Sequence, residues 1–314
     1  MKYGFTIPGR GPLASPDTLL RIARHGEELG FDSIQTGDHI LVPKDIDSTY
    51  PYTDNGEFPG LSSGSSLEQL TLLAFLAGQT SNIRLVTSVL IVPHRNPLVA
   101  AKTLATLDVL SKGRLVIGIG VGWMKEEFEA LGLHYFDQRG TVTNEYLEIY
   151  KELWTKDRPT FSGKFFNIGE SGFLPKPFQT PHPPIWIGGH SSPALRRAAQ
   201  YGDGWMPIGL RPPAILEPEE LSDKINIIKD LSIKFGRSED SVTPCFSTHI
   251  TINDKPTNDR AMMQGIPEQI AADLRLYQDV GVQNFIVSFP ASSLSEQQES
   301  MERFAREVIP LMPI

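Results

Sequence analysis

Asp38 and His39 stand side by side in Thr36-Gly37-Asp38-His39, directly after the short apolar run Phe31–Gln35. A carboxylate beside an imidazole at a strand end suits proton transfer or hydrogen bonding to a polar ring, because imidazole changes charge near neutral pH. Two other readings stay open. Asp38 can cap the following loop with His39 packed behind it, or the pair can belong to a metal site. The metal reading is the weaker: no His-x-His follows the first strand, and His94, His182 and His190 show no ligand spacing. The single cysteine, Cys245, excludes an internal disulfide and a cysteine-based metal centre. We therefore expect no metal.

A second candidate is Pro184-Ile185-Trp186-Ile187-Gly188-Gly189-His190-Ser191-Ser192-Pro193, a strand running into a helix. Two glycines free the backbone, two serines can cap, and Pro193 suits the first turn. The free N–H groups of a helix start, beside the positive end of its dipole, form an anion site, and phosphate is the expected ligand. The competing reading is an ordinary capped turn. In Gly118-Ile119-Gly120-Val121-Gly122-Trp123, alternate glycines permit close approach of a flat ring or of another backbone. Thr87-Ser88-Val89 places small hydroxyls in a buried strand, as filler or as ligand contacts. Trp205, in Gly202-Asp203-Gly204-Trp205, reads as packing at the barrel rim or core. Arg95, Arg114 and Arg139 read as surface or loop-anchoring cations, and Glu126 and Glu127 as a solvated helix start.

The elements that must carry these residues alternate in period. Strands are expected at Lys2–Pro8, Phe31–Gln35, Arg84–Val92, Leu115–Gly120, Pro184–Gly188, Gly204–Pro207, Val242–Ile252 and Asn284–Phe289. A helix follows Ser15-Pro16-Asp17 and stops at Gly30; others are expected at 66–79, 97–111, 140–155, 192–201, 218–235, 267–280 and 294–309. Strands such as 85–92 are apolar on both faces, as buried parallel strands are. Eight strand–helix units in 314 residues fit a closed (β/α)8 TIM barrel with loop insertions at 38–65, 121–139 and 156–183. An open doubly wound sheet is disfavoured because no G-x-G-x-x-G/A opens a helix after the first strand. In a barrel, the loops at the strands' C-terminal ends build the active site, so the first two insertions are candidate walls or lids.

Composition narrows the partners. Lys+Arg is 29 against Asp+Glu 37, a net charge of −8, which argues against nucleic acid or an anionic membrane. No apolar run approaches a membrane span, and Met1–Ile7 reads as a strand without a signal pattern, so a cytoplasmic protein is expected.

Taken in order, the pieces resemble the luciferase-like monooxygenase superfamily of flavin- and deazaflavin-dependent (β/α)8 enzymes, with its coenzyme F420-dependent oxidoreductases as the nearest subgroup. The resemblance runs through Glu27–Ile34, Gly37-Asp38-His39, Val92–Pro97, Ala105–Arg114, Gly120–Trp123, Pro184–Gly189 and Gly202–Trp205. It implies one barrel domain over residues 1–314 and hydride transfer between F420 and a small-molecule substrate; reduced-FMN monooxygenation is the alternative. By resemblance, Asp38 and His39 contact the deazaflavin ring, with His39 handling a proton. Ser88 and Val89 form a cis-peptide bulge behind the ring, and Val121 and Gly122 line it. Ile187, Gly188, Gly189, His190 and Ser191 take the cofactor phosphate. The sequence departs from the superfamily's sugar-phosphate dehydrogenases: Trp123 stands where they carry an acidic Glu, and Ile40-Leu41-Val42-Pro43 replaces their Trp. A sugar phosphate is thereby disfavoured against an apolar or aromatic substrate. A homodimer is the assembly the resemblance implies. A metal-dependent hydrolase and a binding protein without turnover are the readings from other classes.

Overall fold

The computed structural model describes residues 1–62, 66–256 and 258–313, with the side chains of 61 and 62 left out; residues 63–65 of the predicted 38–65 insertion lie outside the described residues. The expected barrel is present. Its strands are β1 (Lys2–Thr6), β2 (Ser33–Thr36), β3 (Arg84–Thr87), β4 (Leu115–Gly120), β5 (Ile185–Gly188), β6 (Gly204–Met206), β7 (Thr243–His249) and β8 (Asn284–Ser288). All neighbours pair in parallel, in the order β3-β2-β1-β8-β7-β6-β5-β4. The ring closes where Leu85 and Val86 of β3 meet Leu115 and Val116 of β4.

The surrounding helices are α1 (Pro16–Glu28), α2 (Gln69–Ala77), α3 (Pro97–Leu110), α4 (Lys125–Ala130), α5 (Arg139–Thr155), α6 (Ser192–Tyr201), α7 (Pro218–Lys234), α8 (Pro267–Asp279) and α9 (Leu294–Arg303). Local chemistry fixes their ends. Ser15 caps α1 by accepting the Thr18 N–H at 3.3 Å, and Gly30, at φ +81°, turns the chain out of it. Asn96 does the same for α3, accepting from the N–H groups of Leu98 and Val99. Two cores result. Leu, Ile, Phe and Ala side chains fill the space between strands and helices, while Val86, Val116, Trp186, Met206, Cys245 and Ile286 plug the barrel interior. Each fully buried aliphatic or aromatic side chain contributes roughly 1.5–3 kcal/mol relative to exposure.

Several boundaries differ from the sequence-based expectation, each for a local reason. The strand expected at 84–92 is broken by a cis peptide at Ser88-Val89 and resumes as Leu90–Ile91. The helix expected from 66 starts at Gln69, because Glu68 caps it by accepting the Thr71 N–H at 2.7 Å. The strand expected to reach Ile252 stops at His249; Thr251–Ile252 pairs instead with Gln264–Gly265. Residues 156–183 contain a short antiparallel pair, Phe161–Ser162 with Asn167–Ile168. The last helix is α-helical only to Arg303, then widens into a π turn over Phe304–Val308 before a closing 3-10 turn over Ile309–Leu311.

Candidate active site

The C-terminal ends of the strands open into a cavity of about 760 Å³. Its walls include Asp38, His39, Ser88, Val89, Val121, Gly122, Ile187, Gly188, Gly189 and Ser191, so all but one of the predicted site residues converge there. The exception is His190. It is not among the lining residues; burial lowers its pKa, and the charges acting on its ring come from Lys224 and Glu220 of α7.

His39 is held by a carboxylate the sequence reading misplaced. Its Nδ1 lies 2.9 Å from Oε2 of Glu127, and Glu127 also accepts the backbone N–H groups of Ile40 at 2.8 Å and Leu41 at 3.3 Å. Glu127 is fully buried, not part of a solvated helix start. Burial alone would raise its pKa, but the His39 hydrogen bond, the charges of His39 and His94, and the Ile40 N–H together bring it below the usual carboxylate value. An ionised carboxylate only accepts, so Nδ1 carries a hydrogen, and in the neutral ring the lone pair is on Nε2. A signal for Glu127 existed: Met124, Glu127 and Phe128 follow helical i, i+3, i+4 spacing and are all buried. Glu126 is likewise engaged, accepting from the N–H groups of Asp47 at 2.9 Å and Ser48 at 3.1 Å, which ties α4 to the 38–65 segment.

Asp38 lines the cavity, but its carboxylate is committed elsewhere. Oδ2 accepts the Ile91 N–H at 2.9 Å and a 2.6 Å bond from Nη1 of Arg95, while Oδ1 takes Nη2 at 2.8 Å. This fork locks the end of β2 to the residues just past the Ser88-Val89 cis peptide. Arg95 also reaches Glu68 at 2.7 Å, so it anchors loops from inside, with a side chain only 13% exposed.

Val89 protrudes into the cavity between two glycines. A Cβ at Gly120 would lie 2.5 Å from its Cγ2, and one at Gly188 2.9 Å from its Cγ1. Gly120 and Gly188 therefore make room for this bulge rather than only for a ligand, while Gly118 faces the Thr87 carbonyl and Gly122 the Phe128 ring. Trp205 is buried, and its Nε1 donates to the Gly189 carbonyl at 2.8 Å, propping the turn between β5 and α6. Ser191 occupies the cap position of α6 without a side-chain capping bond, leaving those helix-start N–H groups without that partner. Beside them, Arg197 and Arg139 line the wall, and Arg139 donates to the Gly122 carbonyl at 3.0 Å. Arg197 is 7% exposed and falls on the buried side of α6, a position the sequence reading passed over.

The floor is polar. Gln35 donates to Thr6 at 2.8 Å and Ser247 at 3.3 Å, and its other amide atom, Oε1, is buried without a partner. Tyr50, Tyr52, Phe58 and Trp123 form an aromatic wall beside His39, with Tyr50 to Trp123 at 5.1 Å and His39 to Phe58 at 4.8 Å between ring centres. Among the described residues, no group of three or more His, Cys, Asp or Glu side chains could hold a metal ion, and no helix is long and apolar enough to cross a membrane.

A family model described as luciferase-like monooxygenase matches residues 1–303. An uncharacterised protein of Mycobacterium tuberculosis is 31% identical over 296 residues, covering 92% of this chain and 93% of its own. An FMNH2-dependent dimethylsulfone monooxygenase of Pseudomonas putida is 32% identical over 152 residues, covering 48% of this chain and 42% of its own. The fold is shared with an F420-dependent secondary alcohol dehydrogenase solved with an F420-acetone adduct: the TM-score is 0.79 at 18% identity, covering 100% of this chain and 99% of that one.

Proposed function

Because the chain belongs to the luciferase-like monooxygenase family, we propose that it is an oxidoreductase that transfers a hydride between coenzyme F420 and a small organic substrate in the barrel mouth. The observation that carries this reading is the Glu127–His39 pair in the cavity wall, which supplies an oriented imidazole for the proton that accompanies a hydride. The residues present fit such a cofactor. A cavity of about 760 Å³ suits a flat tricycle. The unsatisfied amide atom of Gln35 offers a hydrogen bond to a ring edge bearing N–H and C=O groups. The Gly188–Ser191 turn with Arg139 and Arg197 suits a phosphate.

When bound, the deazaflavin supplies the carbon that gives or takes the hydride. The chain's own groups do the rest. Val89 and the strand-end glycines shape the slot. Asp38, through Arg95, holds the bulged strand behind it. Glu127 fixes the His39 tautomer so that Nε2 can take or return a proton. The aromatic residues of the 38–65 segment exclude water.

A second reading, reduced-FMN monooxygenation, is favoured by the similarity to the dimethylsulfone monooxygenase. Parallel titration with oxidised F420 and FMN, followed by oxygen uptake with reduced FMN, separates the two. The expected result is saturable F420 binding at least ~10-fold tighter than FMN, about 1.4 kcal/mol, without oxygen uptake. FMN-selective binding with oxygen uptake transfers the assignment to the second reading, and no saturable binding of either cofactor overturns both.

A further inference from the structure

The cavity's charge runs against that of the whole chain. Despite a net charge of −8, four arginines line it, Arg10, Arg139, Arg197 and Arg211, against one carboxylate, Asp38, which Arg95 already neutralises. Arg139 and Arg197 accompany the β5–α6 turn. Arg10 and Arg211 do not: they follow β1 and β6, line the same cavity, and lie close enough for the Arg10 charge to act on Arg211. The Arg10 guanidinium sits 4.9 Å from the Phe58 ring centre, Phe58 lies 5.1 Å from Tyr50, and the Tyr50 hydroxyl feels the charge of both Arg211 and Arg10.

Neither Arg10 nor Arg211 has a carboxylate partner among the described residues. Nε of Arg211 is buried with no hydrogen-bond partner. The backbone that presents Arg211 is fixed: its N–H bonds to the Ala214 carbonyl at 3.0 Å, and the Leu210 N–H to that of Ile215 at 2.6 Å. Two guanidinium groups placed together without a counter-charge form a poised oxyanion receptor, since guanidinium matches carboxylate and sulfonate geometry with paired donors.

From this geometry we propose that the substrate is an organic acid, an apolar or aromatic body bearing a carboxylate or sulfonate, with the oxyanion held by Arg10 and Arg211 and the body against Tyr50, Tyr52, Phe58 and Trp123. The proposal rests on the redox reading above and extends it to the class of substrate. The electrostatics agree. Burial pushes the Arg211 guanidinium below its ordinary pKa, and the Arg10 charge presses the same way against the opposing effect of the two tyrosines, a repulsion that a bound anion relieves. The placement also separates the two anion sites: the helix-start site takes the cofactor's phosphate, and the Arg10–Arg211 site lies beside His39's aromatic neighbours.

The test is calorimetric titration of the purified protein, with and without saturating F420, using benzoate, benzenesulfonate and neutral benzamide. Both acids are expected to bind at least ~10-fold tighter than the amide, the scale of one charge-assisted bond. Arg211→Gln and Arg10→Gln should each erase that preference, Arg211→Lys should keep part of it and confirm a folded site, and F420 affinity should stay unchanged in all three. Equal binding of acid and amide to the unaltered protein overturns the proposal, as does a preference that survives both Gln variants. It is also overturned if F420 affinity falls together with benzoate affinity, since the arginines then hold the cofactor's own anions. Acid preference in a protein that binds neither F420 nor FMN would uphold the receptor and defeat the redox reading instead.

Discussion

At the scale of single residues, the site is governed by buried charges whose partners come from distant segments. Asp38 was legible from its place after β2; what it touches was not, because Arg95 and the Ile91 N–H lie more than fifty residues away. Replacing Asp38 with Ala leaves the Arg95 guanidinium buried with only Glu68 for a partner. Unfolding free energy measured in urea is expected to fall by about 3 kcal/mol, the usual cost of breaking a buried pair, and a loss below ~1 kcal/mol, the scale of an exposed pair, would contradict this account. His94 gives a pH dependence. Its ring is buried 4.6 Å from Phe128 with no hydrogen bond on either nitrogen, and burial lowers its pKa to about 4 against the opposing charges of Glu127 and Asp38. In the unfolded chain His94 titrates near 6.5, so between these values the unfolded state binds a proton that the native state refuses. The stabilisation is therefore complete above pH 6.5 and is lost as pH falls toward 4, by about 3 kcal/mol over that window. Thermal melts of His94→Phe should show a flatter fall of Tm across pH 6.5 to 4 than the unaltered protein; parallel curves would contradict it.

At the scale of elements, the strand-to-helix turn after β5 was readable because its signals are local: glycines, then serines, then Pro193 at the first turn. The burial of the Glu127-bearing helix was not, since α4 has only six residues and four of them are Lys125, Glu126, Glu127 and Glu129, a surface composition. Its burial depends on the 38–65 segment folding over it. Gly189 tests the turn. It adopts φ +84°, and an added Cβ would meet only the Ala194 Cβ at 3.5 Å, so space is not the constraint. Gly189→Ala should cost roughly 1–2 kcal/mol of stability through the left-handed backbone alone. It should also weaken F420 binding by turning the helix-start N–H groups. Unchanged affinity in a destabilised protein would remove this turn from the binding site. Gly122→Ala differs, since its Cβ would lie 2.7 Å from the Phe128 ring that packs on His94, and a larger stability loss is expected.

At the scale of the whole molecule, barrel closure followed from alternating periods and from strands apolar on both faces. The cavity's arginines did not, because four separate segments deliver them and no stretch of sequence is basic. The outer surface carries one further signal. On α3, Val99 is 61% and Leu110 66% exposed, and two more exposed apolar residues flank that helix: Leu174, whose carbonyl accepts from Lys102, and Phe178, beside Gly113. Together these side chains offer an apolar face, and we propose that α3 pairs two copies of the chain, the homodimer that the family resemblance implies. Light scattering should return twice 34.8 kDa, and Val99→Glu with Leu110→Glu should return the single mass. A single mass for the unaltered chain at micromolar concentration would contradict the pairing.

The most direct test of the central claim is a crystal structure of the protein grown with oxidised F420. The account places the deazaflavin ring in the barrel mouth against Val89 and within reach of His39, with the phosphate on the backbone of Gly188, Gly189 and Ser191. A ring seated outside the barrel, or a phosphate held away from the β5–α6 turn, would contradict it.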